Sequence, residues 1–170
     1  GWGESDMSRR PKFDVGRLER FVRRAMNHWR VPGLALAVVR GARVACCRGF
    51  GLRDLRQRLP VTPQTLFPIA SCTKAFTATA LGLLVDEGRL QWDKPVRDYI
   101  PEFRLRDPVA GDRTTVRDLL CHRTGLPRHD GVWYGAKLSR AQLLDLLRHL
   151  EPSKDFRACW QYNNLMYQVA

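Results

Sequence analysis

Apolar positions recur along the first third of the chain in two rhythms, one helical and one strand-like. After Asp14, which fits an N-cap, Leu18, Phe21, Val22, Ala25, Met26 and Trp29 fall at i, i+3, i+4, i+7, i+8 and i+11. That spacing gathers them on one helical face and leaves Arg17, Glu19, Arg20, Arg23 and Arg24 largely outside it. Val31-Pro32-Gly33 ends the predicted helix. Leu34 to Val39 then runs apolar without a break, which suits a buried strand. Arg40-Gly41-Ala42 reads as a turn and Arg43 to Leu52 as a returning strand, so a hairpin is expected. A hairpin alone is marginal and needs further strands or a helix to cover it. No convincing third long strand follows.

The rest of the pattern is helical. Thr62-Pro63 marks a loop, and Pro68-Ile69-Ala70 leads into Ser71-Cys72-Thr73-Lys74. Phe76, Ala80, Leu83 and Leu84 then predict an apolar helical face, with Gly88 at the C′ position. Pro95 to Ile100 reads as a short helix stopped by Pro101. Thr114 or Thr115 caps another, with Val116, Leu119 and Leu120 inside and Gly125-Leu126-Pro127 ending it. Ser139-Arg140-Ala141-Gln142 matches a capping box before Leu143, Leu144, Leu147 and Leu150, and Pro152 closes that helix. There is no internal repeat, low-complexity tract or clear linker.

At 170 residues the chain is long enough for a substantial core. No run approaches eighteen apolar residues, so no transmembrane segment is expected. No basic and apolar leader is visible at the start. Residues 1–12 read as a flexible start or an appended remnant, with Met7 the natural first residue. The formal charge is +12, mostly from arginine. A nucleic-acid partner would account for it, as would arginine spread over solvated faces. Scatter along the chain, with no segment interleaving arginines and aromatics, favours the second, so no nucleic acid is expected. Five cysteines, Cys46, Cys47, Cys72, Cys121 and Cys159, form neither a disulfide framework nor a zinc pattern. Adjacent Cys46 and Cys47 on a strand should point to opposite faces. A reducing, cytoplasmic setting follows as the expectation, with the periplasm as the alternative for a chain whose leader has been removed. The four histidines add no metal pattern, and neither metal nor organic cofactor is implied.

Two short segments carry candidate chemistry. Ser71 and Lys74 stand about one helical turn apart, which puts an amine beside a serine nucleophile. Desolvation would let Lys74 give up its proton and take that of Ser71. Tyr162-Asn163-Asn164 supplies a phenol for proton relay and an amide for substrate contact. Singly these signals are weak. On the order of one S-x-x-K arises by chance in a chain this long. Ser71 could simply cap a helix, and Tyr162 could be core.

The surrounding residues add more. Phe67 to Ala78, containing Ser71-Cys72-Thr73-Lys74, strongly resembles the nucleophile segment of the serine β-lactamase-like family, which includes class C β-lactamases, DD-peptidases and related esterases. Leu83 to Leu90, Asp93-Lys94-Pro95-Val96 and Tyr99-Ile100-Pro101 continue the resemblance in order. Leu119 to Pro127 is similar to the family's leucine-leucine-x-histidine-x-serine/threonine-glycine-leucine-proline segment, and Trp160 to Tyr167 to its tyrosine-x-asparagine segment. The resemblance implies an α+β fold of the β-lactamase and DD-peptidase type. Ser71 would be the acylated nucleophile, Lys74 its base partner, Tyr162 the proton-shuttling phenol and Asn164 the amide contact to substrate. It gives His122 and Gly125 no catalytic role, and Asn163 stands where small residues are common.

The family's third motif, a lysine- or histidine-led triad with glycine on a sheet strand, has no counterpart before Ala170. Residues 13–170 are therefore expected to be an incomplete, amino-terminal part of such a domain, with the carboxy-terminal strands absent. The implied activity is serine acyl-enzyme hydrolysis of an amide, ester or β-lactam, on a small-molecule or peptide substrate, impaired in this chain. Losing one oxyanion donor alone costs about a hundred- to a thousandfold in rate. The alternative is a noncatalytic remnant that binds a ligand or a protein, with self-association through the uncovered hairpin. A basic nucleic-acid binder is the third reading, and it predicts binding indifferent to Ser71→Ala.

Overall fold

The computed structural model describes residues 13–170, which fall into two units divided between Pro68 and Ile69. The expectations for residues 1–12, Met7 included, lie outside the described residues.

In the first unit Asp14 caps helix α1 (Val15–Trp29) as predicted, its carboxylate accepting the Arg17 N–H at 2.9 Å. Arg30 turns left-handed at φ +52 and ends the helix. Strands β1 (Gly33–Arg40) and β2 (Arg43–Asp54) form the expected hairpin, with Leu34 opposite Phe50 and Val38 opposite Cys46. A two-residue β3 (Leu59–Pro60) pairs with the far end of β2, giving the order β1-β2-β3. β1 is not buried on both faces. Leu34, Leu36 and Val38 are half-buried, whereas Ala35, Ala37 and Val39 are exposed. The sheet is antiparallel and α1 covers one side of it, so only alternate residues find a partner. That contact includes an Arg48–Glu19 ion pair and the Arg23 guanidinium 5.5 Å from the centre of the Phe50 ring. Cys46 is buried and Cys47 exposed, as the pleat requires. Gly49 lets the next segment cross closely, since a Cβ there would lie 2.2 Å from the Val61 carbonyl oxygen.

The second unit is helical. A 3₁₀ turn (Ala70–Cys72) leads into α2 (Thr73–Asp86), and a 3₁₀ turn at Val96–Asp98 replaces the short helix expected over Pro95 to Ile100. Then come α3 (Pro108–Arg113), α4 (Val116–Leu120), α5 (Asp130–Trp133), α6 (Arg140–Leu146) and α7 (Asn164–Val169). Phe103, Leu119, Leu126, Leu147, Leu165 and Met166 form the heart of its core. Both capping motifs form. Thr115 and Asp118 close a box on α4, and Ser139 and Gln142 close one on α6.

The face predicted for α2 is not the buried one. Phe76 and Leu83 are exposed, while Leu81 is buried and Leu84 and Val85 are half-buried. This helix is apolar all round, so its periodicity does not select a side. On α4 itself, the buried Asp118 carboxylate holds the loops together. It accepts the Thr115 N–H and hydroxyl, both at 2.9 Å, and pairs with Arg123 and Arg157. Those bonds hold its carboxyl at about 2, below the usual carboxylate range, against the opposing push of burial. Gly125 has φ +86 and packs against the Lys154 carbonyl, which a Cβ would meet at 2.3 Å.

Candidate active site

The turn before α2 fixes the serine. Ala70 takes a left-handed φ of +46, and Ser71 follows within the 3₁₀ turn rather than on the regular helix. Ser71 does not cap α2. The cap position is Cys72, and no side chain caps the helix there. The Ser71 hydroxyl points instead at Tyr162, with Oγ and Oη 2.5 Å apart, a distance typical of a strong hydroxyl pair. Lys74 Nζ lies 3.4 Å from Ser71 Oγ and donates to Asn164 Oδ1 at 2.6 Å. All four residues picked from the sequence therefore meet in the second unit.

Cations surround the phenol. Lys74 Nζ stands 4.8 Å from the centre of the Tyr162 ring and 5.2 Å from that of Tyr167, and Arg128 Cζ lies 4.9 Å from the Tyr162 ring. The Lys74 ammonium, then the Ser71 hydroxyl, hold the Tyr162 phenol below its ordinary value. Ser71, Arg128, Trp160, Tyr162 and Asn164 line an open cleft of about 610 Å³. A hydroxyl touching both a phenol and an amine, at the wall of such a cleft, can be relieved of its proton as it attacks an electrophile. Asn164 presents its oxygen to Lys74, which leaves the two N–H donors of its amide for other partners.

Three supporting residues were not singled out from the sequence as functional. Asn163 is fully buried. Its side-chain amide donates to the Pro127 carbonyl at 2.6 Å and its Oδ1 accepts the Met166 N–H at 3.1 Å, capping α7. An asparagine directly before an apolar helix was the available signal. The His122 ring packs tilted by 40° against that of Tyr162, and burial followed by the Lys74 charge lowers its imidazole's affinity for a proton. Arg128 carried no sequence signal, because only folding brings it to Tyr162. Among the described residues, no group of three or more His, Cys, Asp and Glu is arranged to hold a metal ion. No helix among them is long and apolar enough to cross a membrane.

Seven helices and a three-stranded antiparallel sheet among the described residues, with this serine at the head of an apolar helix, define an α+β fold of the β-lactamase and penicillin-binding-protein type. Residues 18–170 match the Beta-lactamase family model, and the chain belongs to that family. It is 37% identical over 158 residues to unguisins hydrolase ungD′ of Aspergillus campestris, covering 88% of this chain and 29% of that protein. The octameric penicillin-binding protein homologue from Pyrococcus abyssi superposes with a TM-score of 0.78 at 32% identity, over 92% of this chain and 37% of that one. D-amino acid amidase from Ochrobactrum anthropi SV3 gives 0.70 at 30% identity, over 91% and 41%. The chain thus spans well under half the length of these relatives.

Proposed function

We propose that the protein is a serine hydrolase of the β-lactamase-related type that acts through an acyl-enzyme on Ser71. The observation that carries this reading is the contact of one hydroxyl, at the wall of a cleft, with Lys74 one turn on and with Tyr162 91 residues on. Tyr162, closest to Ser71 Oγ, takes up the hydroxyl proton as a phenolate when the serine attacks and then gives that proton to the leaving group. Lys74, as its ammonium partner, and Arg128 stabilise the phenolate before the attack and again once the proton has left. Asn164 orients the substrate carbonyl or amide. The bond cleaved is an amide, an ester or a β-lactam, in keeping with an amidase, an unguisins hydrolase and a penicillin-binding protein homologue among the relatives. A reducing, cytoplasmic setting belongs to the proposal, on the strength of the cysteine pattern.

The test is covalent labelling with a fluorescent penicillin and a fluorophosphonate, read by intact mass, with Ser71→Ala as control. A stoichiometric adduct that Ser71→Ala abolishes is expected. A folded chain that takes no adduct would favour the second reading, a noncatalytic module that binds a ligand or a protein. The exposed Val39 and Val44 of the hairpin support that reading, with a second copy of this chain as the partner. Size-exclusion mass measurement at two concentrations detects such a dimer.

A further inference from the structure

His122 lies under the site without touching Ser71. It is 7% exposed, and its φ of +55 is a conformation that residues other than glycine adopt only when their surroundings impose it. Its carbonyl accepts the Gln161 N–H at 2.8 Å, and its Nδ1 accepts the Asn163 N–H at 3.1 Å. The backbone on both sides of Tyr162 is therefore tied to this one residue. Its ring also meets the Tyr162 ring at 4.7 Å between centres and the Tyr167 ring at 5.2 Å, with Trp160 edge-on at 5.8 Å. Tyr162 and Tyr167 are the two rings beside which the Lys74 ammonium rests.

We propose that His122 is the positioning residue of this site: a neutral imidazole, protonated on Nε2, whose Nδ1 and ring face set Tyr162 against Ser71 and Lys74. The proposal rests on the reading of Ser71 as the acylated nucleophile. Histidine is suited to both tasks at once. Phenylalanine would keep a ring but leave the Asn163 N–H without an acceptor, at a residue that is fully buried. Asparagine would return an acceptor near the Nδ1 position but no ring. An imidazolium would turn a donor toward the Asn163 N–H and add a second cation near Lys74. Neither imidazole nitrogen reaches the reacting atoms, so His122 acts through Tyr162.

Three measurements on the full chain test this. Long-range ¹⁵N–¹H spectra of the wild-type protein should show His122 as the Nε2–H tautomer; the Nδ1–H tautomer would overturn the proposal. Tyrosine ¹³Cζ titration, with the Tyr162 signal assigned by Tyr162→Phe, should place the Tyr162 phenol higher in His122→Phe than in the wild type. A purely packing role leaves it unchanged in folded His122→Phe, and that result would also overturn the proposal. Fluorophosphonate labelling of Ser71 should slow about ten- to a hundredfold in His122→Phe and recover in part in His122→Asn. If His122→Phe does not fold, the wild-type tautomer decides. If the wild-type chain takes no label, the acyl-enzyme reading fails, while the tautomer and the phenol titration still decide the role of His122.

Discussion

The carboxylate of Asp118 and the hydroxyl of Ser71 both sit among cationic side chains of the second unit, yet one is sealed and the other open. Asp118 is fully buried, and Thr115, Arg123 and Arg157 occupy both of its oxygens. Ser71 is exposed, its partner Tyr162 is a neighbour of Arg128, and the cleft that these three line has no carboxylate in its lining. The same ingredients give different results according to closure. A negative charge already present and fully paired locks loops together. Positive charge facing an open cleft is placed to stabilise negative charge that develops there.

Four experiments probe that contrast, in falling order of effect. Tyr162→Phe should slow Ser71 labelling by about a hundred- to ten-thousandfold, the range for losing a positioned proton-transfer group, with little change in the urea midpoint. A large loss of stability instead would make the open cluster structural and erase the distinction. Asp118→Asn should do the opposite, costing about 3 kcal/mol in urea unfolding and sparing the labelling rate of the folded protein. The figure sits at the low end for a broken buried pair because Arg123 and Arg157 each remain about a third exposed. Slower labelling of folded Asp118→Asn would draw the carboxylate into the site.

Acid gives the third. The Asp118 carboxyl titrates at about 2 in the folded chain against 3.8 for the free group. A depressed folded value means stability that is complete above about pH 4 and lost as the pH falls through about 2, worth about 2 kcal/mol. Urea midpoints at pH 7, 4 and 2 should trace that loss, and Asp118→Asn should flatten it. Thr115→Ala gives the smallest effect, about 1 kcal/mol, by removing the cap of α4 and one donor to Asp118. Its labelling rate should match the wild type.

Local chemistry was legible in the sequence where one segment settles the outcome. Asp14 on α1 and the Ser139–Gln142 box on α6 are contacts within a few residues, so spacing alone locates them. The Ser71, Lys74, Tyr162 and Asn164 constellation could be read because each residue stands in a distinctive segment of its own. The Asp118 hub could not, since Arg157 is one arginine among many and reaches it only through the fold. The buried side of α2 was hidden for another reason, because a helix apolar all round gives periodicity nothing to choose between. The half-buried β1 shows the converse limit. Its unbroken apolar run suggested cover on both faces, and only the placement of α1 assigns the inside to Leu34, Leu36 and Val38.

The left-handed alanine before Ser71 changes what a labelling experiment reports. A non-glycine residue at φ +46 sits about 1–2 kcal/mol above its relaxed conformation, so the turn holds only while its neighbours force it. Loosening of that packing lets Ala70 relax and carries Ser71 away from Tyr162. The rate at which Ser71 takes a label is then expected to gauge how firmly the turn is held, and to fall as mild denaturant releases it.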